Sequence, residues 1–349
     1  LAKQLIATGI ALFGDRPLGW RFTSVLAGST SLLVFYLLGG GLAWAWGFSG
    51  FLLFLHARLA MLDPHMMGFL LLALFFLVRF LREPRASLSD WFLAMALMGL
   101  ASASKWAALF PWAFLGVAIV LWSVWRYRDA KFTAYLLLGG VVGFGAYFTT
   151  FLPHLNWSQD APSFSQGLFQ AQVTMLDGQK RVVTPHSYMS QWYQWPWLLR
   201  PMWYIYDRIS GTELVNGIFA VANPLQAWLG TPLVVWTLYF LTRRGLQKGR
   251  LPLLPTLWTS LYLVLTFCWV LVPRKVSFFY YSFPAFTLLS LLWAWWHSYT
   301  IELRSKWRYV FHSALGASLA LFVYFYPVLS AYPISARNFR AWAWFSSWI

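Results

Sequence analysis

Three observations predict an all-α integral membrane protein, a multi-spanning helical bundle. Of 349 residues, 60% are hydrophobic and only 10% charged, with a mean hydropathy of +0.58, a balance that an ordinary soluble domain does not show. Apolar runs of about 20 residues recur along the chain, each long enough to cross the hydrocarbon of a bilayer as a helix. The strict polar and apolar alternation that a membrane barrel needs is absent.

Reading apolar runs between charge clusters places about ten spans, near residues 20–38, 40–55, 65–81, 91–105, 106–125, 133–152, 216–241, 253–272, 276–296 and 309–327. By the parity of these spans four basic loops share one side: "RFLREPR" at 79–85, "RYRDAK" at 126–131, "RRGLQKGR" at 243–250 and "ELRSKWR" at 302–308. That side is expected to be cytoplasmic. Density decides it, because 13 Lys/Arg on that side nearly equal the 12 on the other, but the inner loops are much shorter. Residues 91–125 must cross twice, yet 35 residues at 1.5 Å supply about 52 Å against roughly 60 Å. The first leg is therefore short, and Lys105 at its end is expected below the outer headgroups, in a cavity and with a partner.

The 12 outer cations (Lys3, Arg16, Arg21, Arg58, Lys180, Arg181, Arg200, Arg208, Arg274, Lys275, Arg337 and Arg340) face six acids, Asp15, Asp63, Asp160, Asp177, Asp207 and Glu213. Such an excess points either to an anionic ligand or to anionic lipid headgroups. Residues 1–349 read as a single transmembrane domain, with 153–215 as a large outer loop too short and too Trp-rich for a separate domain. Within that loop, 184–206 is expected to be a helix or broken helix lying in the interface, where Trp and Tyr bury the ring and wet the polar tip. The segment 328–349 reads as a second interfacial aromatic stretch on the outer side. An aromatic belt alone accounts for the rings; it does not account for Arg200 before Pro201, or for His186.

Candidate chemistry sits at few positions. In "RLAMLDPHMMGF" Asp63 reads as an N-cap, Pro64 as a first-turn residue and Arg58 as a snorkelling cation; the functional alternative is a carboxylate beside a cation that binds or activates a polar substrate. Arg274 and Lys275 share a tight outer turn at a helix start, unfavourable for the macrodipole unless an anion lies near. Metal ligation is not indicated, since six His are scattered with no HExxH or paired Cys/His spacing. No P-loop, GxGxxG or GxSxG occurs, so no nucleotide cofactor, nucleic-acid partner or acyl-enzyme chemistry is expected. The single Cys, Cys268, excludes an intramolecular disulfide, and "NWS" at 156–158 is a formal glycosylation sequon that chance explains. The opening, "LAKQLIATGI", carries neither Met nor a signal-type n-region and reads as a chain entered partway.

Taken in order, these stretches resemble the protein O-mannosyltransferase family of lipid-linked-sugar glycosyltransferases. "LAKQLIATGIALFGDRPLGWRFTSVLAGS" is similar to the family's first outer loop and following span, "RLAMLDP" to its second outer loop, and "SASKW" to its Lys-Trp turn. "HSYMSQWYQWPWLLRPMWY" at 186–204 resembles the most specific block, HPYxSKWWSWPLLLRP, with Gln191 where Lys is usual and Ser187 where Pro is usual. "NPLQAWLG" and "PRKVSFFYYSFPAF" are similar to two more blocks. The resemblance implies a GT-C fold that moves mannose from a polyprenyl- or dolichyl-phosphate carrier to Ser/Thr hydroxyls of exported proteins. It implies eleven spans, the first lying upstream of Leu1 together with an acidic pair whose Asp is the catalytic base. It nominates Arg58 and Asp63 for the catalytic centre, with Asp63 orienting Arg58, and Lys3, Lys105, Arg200 and Arg274 for the donor phosphate. His186, Trp192 and Trp195 are nominated for acceptor or sugar contact. Eukaryotic members carry soluble domains for which 153–215 has no room, so a bacterial cytoplasmic membrane is expected, with the site on its outer face.

Three other functions fit the composition: a related transferase with a lipid or glycan acceptor, such as aminoarabinose transfer to lipid A; an anionic-lipid transporter or flippase; and a structural membrane subunit. The 186–201 block disfavours the first. Charges gathered at the two surfaces, with Lys105 the only deep one, disfavour the second.

Overall fold

A computed structural model describes residues 1–155, 164–272 and 274–349. The sequon at 156–158 and Asp160 lie outside the described residues. In chain order the helices are α1 (Ala2–Phe13), α2 (Pro17–Phe48), α3 (Leu52–Ala57), α4 (Leu62–Arg82), α5 (Leu88–Ser104), α6 (Leu109–Tyr127), α7 (Ala130–Thr149), α8 (Leu152–Leu155), α9 (Phe164–Lys180), α10 (Pro224–Lys248), α11 (Leu253–Phe267), α12 (Phe283–Glu302) and α13 (Trp307–Ser330). The protein is a mostly helical integral membrane protein. Among the described residues six helical stretches are long and apolar enough to cross a bilayer: Pro17–Phe48, Leu62–Arg82, Trp106–Tyr127, Ala130–Thr149, Leu253–Val270 and Trp307–Ser330.

Local chemistry explains several boundaries. Gly39 and Gly40 leave helical dihedrals inside α2, Gly40 at φ +67° where a side chain would be strained, so α2 breaks between the spans read at 20–38 and 40–55. Asp129 caps α7 by accepting from the Phe132 N–H at 3.1 Å. α10 starts with Asn223 as cap and Pro at the first turn, and ends on Gly249 in the left-handed region.

The chain forms two compact units, Leu1–Val34 with His56–Val183, and Phe35–Leu55 with Thr184–Ile349. In the first, α5 packs against α4 and α7. Gly99 of α5 lies against the backbone of Gly143 in α7, so close that a Cβ would collide with the Gly143 carbonyl. Small residues that admit backbone contact are the usual device for tight helix pairing in lipid.

In the second unit α12 is buried along most of its length. A neutral polar knot fastens the elements around it. Asn223 Nδ2 donates to the Ser49 carbonyl at 2.8 Å and the Ser318 carbonyl at 2.9 Å. Gln226 Nε2 donates to the Trp46 carbonyl at 3.1 Å, and its Oε1 accepts from Ser290 Oγ at 2.7 Å. All these side chains are buried and their amide groups are satisfied, as burial in an apolar interior requires.

Three expectations are corrected here. Residues 184–206 form neither a helix nor a broken one beyond one short 3-10 turn, Trp192–Trp197, held by a Gln191/Gln194 capping box. Pro196 and Pro201 deny the backbone donors that a longer helix needs. Instead Met202–Arg208 is a strand, β1, pairing antiparallel with β2 (Leu214–Ala220), and β2 with β3 (Ile334–Ser335). The run read as a span from 216 therefore begins as β2, and its helix starts only at Pro224. Aromatic and β-branched residues such as Trp203, Tyr204, Ile205, Val215 and Ile218 suit a pleated, half-buried ribbon as well as an interface. Asp63, read as an N-cap, is inside the first turn of α4, whose cap position is Met61.

Candidate functional site

In the first unit the site begins at a helix break. α5 closes at Lys105, whose backbone is extended (φ −157°, ψ 130°), and a 3-10 turn, Trp106–Ala108, leads into α6. The break turns the Lys105 side chain toward α4, where its Nζ lies 2.7 Å from Asp63 Oδ1. The carboxylate is 3% exposed and the ammonium 20%, so the pair is largely withdrawn from water. Asp63 gains further from its place in the first turn of α4, where the helix dipole favours an anion.

The resemblance leads one to expect Asp63 beside Arg58; the structure gives its carboxylate Lys105 as partner. Arg58 follows α3 and is half-buried, and Lys3 is exposed on α1. The Leu1 nitrogen donates to the Ala103 carbonyl at 3.1 Å, bringing the start of α1 to the end of α5, two residues from Lys105. His65, on the turn after Asp63, is fixed by both ring nitrogens: Nδ1 is 3.0 Å from the Met61 carbonyl and Nε2 3.0 Å from Thr23 Oγ1. A carbonyl only accepts, so Nδ1 carries the proton and the Thr23 hydroxyl donates to Nε2. Trp106 Nε1 donates to Tyr147 Oη at 2.9 Å, which donates to Gln172 Oε1 at 2.6 Å, tying the break to α7 and α9.

In the second unit two distant stretches are zipped together. The Ser190 N–H donates to the Ser277 carbonyl at 2.9 Å, Ser277 Oγ donates to the Ser190 carbonyl at 2.6 Å, and Met189 bridges Phe278. Trp195 locks the turn from below. Its Nε1 donates to Ser190 Oγ at 3.0 Å and its ring meets Trp269 and Tyr281. At 1% exposure Trp195 is core, while Trp192 is half-buried and His186 exposed.

The zipper builds an aromatic platform with a cation at each end. Arg200 lies 5.7 Å from the Tyr188 ring, Tyr188 neighbours His186, His186 meets Phe278 edge-on at 5.3 Å, and Phe278 meets Tyr281. Arg274 lies 5.1 Å from the Tyr281 ring. Arg200 also donates from Nε to the Ser187 carbonyl at 2.7 Å and from Nη1 to the Ser347 carbonyl at 3.1 Å. These bonds pin its fork to the chain's last residues. The same end is closed by Trp203 Nε1 donating to the Trp348 carbonyl and Trp348 Nε1 to the Leu198 carbonyl. Among the described residues Arg200 forms no ion pair.

Sequence reasoning did not single out Tyr188, Ser190, Ser277 or Tyr281, which build the platform. Ser190 and Ser277 sit inside the two quoted blocks, and two small hydroxyl residues carry no signal of pairing before the fold joins them. Among the described residues no group of three or more His, Cys, Asp or Glu converges as metal ligands.

A family model described as the C-terminal four TMM region of protein-O-mannosyltransferase matches residues 164–348. Along its full length the chain is similar to the polyprenol-phosphate-mannose–protein mannosyltransferases of Mycolicibacterium smegmatis and Mycobacterium tuberculosis. Both are 24% identical, with all of this chain and 81% and 80% of the relatives covered. The enzyme of the same name from Corynebacterium glutamicum is 25% identical over 70% of this chain and 61% of its own. No solved structure matches the chain.

Proposed function

Because this chain belongs to the protein O-mannosyltransferase family, we propose that it moves mannose from a polyprenyl-phosphate carrier to Ser/Thr hydroxyls of proteins, with the platform of Arg200 and Arg274 receiving the carrier's phosphate. The chain is a mannosyltransferase, its donor a polyprenyl-phosphate mannose and its acceptor a protein. The observation that carries the site assignment is Arg200: a guanidinium held by two carbonyls and a ring and, among the described residues, in no ion pair.

In the reaction the acceptor oxygen attacks the anomeric carbon as the bond from that carbon to the phosphate oxygen breaks. The phosphate leaves with the bonding pair and its charge, and fixed cations stabilise it most as that charge develops. The hydroxyl proton passes to a carboxylate base. Asp63 is engaged by Lys105, so its role is to hold that ammonium. His186 offers exposed polar surface and the half-buried Trp192 a ring to sugar or acceptor, and the buried Trp195 fixes the loop that carries them.

The bundle is proposed to be of the GT-C type with about ten crossings, in a bacterial cytoplasmic membrane, the site on its outer face, 153–215 an outer loop and 328–349 an outer segment. The break in α2 and the apolar α5, α10 and α12 support a count beyond the six long apolar helices. Basic loops at 79–85, 126–131, 243–250 and 302–308 support the orientation.

The test uses membranes carrying the protein, radiolabelled polyprenyl-phosphate mannose and a Ser/Thr-rich peptide. Label is expected in the peptide, and is expected to vanish with Arg200→Ala. Label appearing instead in extractable lipid or glycan would move the acceptor assignment to the related transferases.

A further inference from the structure

At the end of the second unit away from the zipper, α10 turns into α11 and α12 into α13 through the two basic loops. There the molecule contains a cavity of about 330 Å³ beside the α2 break. Its lining is apolar at Leu38, Leu254 and Leu291 and aromatic at Trp258 and at Trp295, which stacks on Tyr299 at 4.9 Å, and it includes the exposed Glu302. Arg244 reaches the lining through Tyr299, donating from Nη2 to its Oη at 3.0 Å.

Glu302 is the informative residue. Seven Lys/Arg occupy 243–250 and 302–308, yet among the described residues Glu302 forms no ion pair. An exposed carboxylate lining a cavity beside aromatic rings is an arrangement that receives an ammonium group, by ion pairing with the acid and attraction to the ring faces. The Arg244 guanidinium, bonded to the lining Tyr299, suits a phosphodiester. The apolar lining suits the start of an acyl chain.

We propose that this cavity binds a phospholipid whose headgroup carries a primary ammonium, the ammonium on Glu302, the phosphodiester on Arg244 and the acyl region along Leu38, Leu254 and Leu291. The site is separate from the transfer platform, and it gives the enzyme a dependence on the lipid composition of the leaflet that bathes the basic loops. Gly39 is exposed and lines the cavity beside Ala43, whose Cβ would lie only 2.9 Å from a Cβ added at Gly39.

The test is native mass spectrometry of the full chain in detergent, titrated in separate runs with phosphatidylethanolamine, phosphatidylcholine, phosphatidylglycerol and soluble glycerophosphoethanolamine. Phosphatidylethanolamine should be retained most strongly, and Glu302→Gln should weaken it by about tenfold, an ordinary value for one lost charge contact (about 1.4 kcal/mol), while leaving phosphatidylglycerol unchanged. Ala43→Leu, which fills the cavity from α2, should also weaken phosphatidylethanolamine. Equal retention of phosphatidylglycerol by the wild-type chain, insensitivity to Glu302→Gln, or equal binding of the soluble headgroup would each overturn the proposal. Mannosyl transfer in the same preparations reports the platform independently, so failure of this site and failure of the transfer assignment are distinguishable.

Discussion

The two units hold their buried-side cations in opposite ways. In the first, Lys105 is held by a carboxylate that is almost fully buried. In the second, Arg200 is held by two backbone carbonyls and a ring and, among the described residues, by no acid. Carbonyl dipoles and ring faces orient a guanidinium without cancelling its charge, whereas a carboxylate does both. In the proposed function the second unit therefore presents charge to a ligand, whereas the first stores a pair. The neutral Asn223–Gln226 knot marks the third case, polar and buried with no charge at all.

The largest expected effect breaks the stored pair. Lys105→Met leaves the Asp63 carboxylate buried alone, which should lower unfolding stability by about 3–5 kcal/mol, read by thermal unfolding in detergent. Adding Asp63→Leu should restore most of it. If the double variant is no more stable than the single, the pair is not what the carboxylate serves.

Next comes Arg200→Ala, expected to reduce transfer by roughly a hundred- to a thousandfold, the usual cost of removing one fixed donor to developing charge. Arg200→Lys keeps the charge and loses the fork that grips Ser187 and Ser347, so it should recover only part of the rate. Recovery to the full rate would mean that charge alone matters and that the two carbonyl contacts do not.

Gln226→Leu should destabilise by about 1–3 kcal/mol, because it removes the amide's buried bonds to the Trp46 carbonyl and to Ser290. Transfer per folded molecule should stay unchanged, since the knot offers no charge to a substrate. The smallest effect is Ser277→Ala, which removes the hydroxyl bond to the Ser190 carbonyl and leaves the backbone zipper, at about 1 kcal/mol.

Much of the frame was legible in the chain. Composition and apolar runs gave the helical membrane class, and the boundary between the spans at 20–38 and 40–55 falls at the α2 break. The argument that a short first leg ends at a deep Lys105 with a partner anticipated the break after α5 and the ion pair, though the acid it named as orienting Arg58 turned out to serve Lys105. The β-ribbon was hidden because Trp and Tyr favour strands and membrane interfaces alike, and β2 was read as the start of a helix. The role of Trp195 was hidden for a similar reason: a Trp between other aromatics carries no mark of which ring is core and which is surface. Its burial follows from Ser190 and Tyr281 meeting it, contacts made only once residues 186–195 and 274–281 are paired.

The central claim is that Arg200 presents uncancelled charge to the carrier's phosphate. Its most direct test is the affinity of unglycosylated polyprenyl phosphate, measured by titration into purified wild-type, Arg200→Ala and Ser277→Ala proteins, with thermal unfolding as the folding control. The account predicts that affinity falls by about tenfold or more in Arg200→Ala and is nearly kept in Ser277→Ala. Unchanged affinity in a folded Arg200→Ala protein would contradict it, and would assign the arginine to holding the chain's last residues against the 186–200 loop.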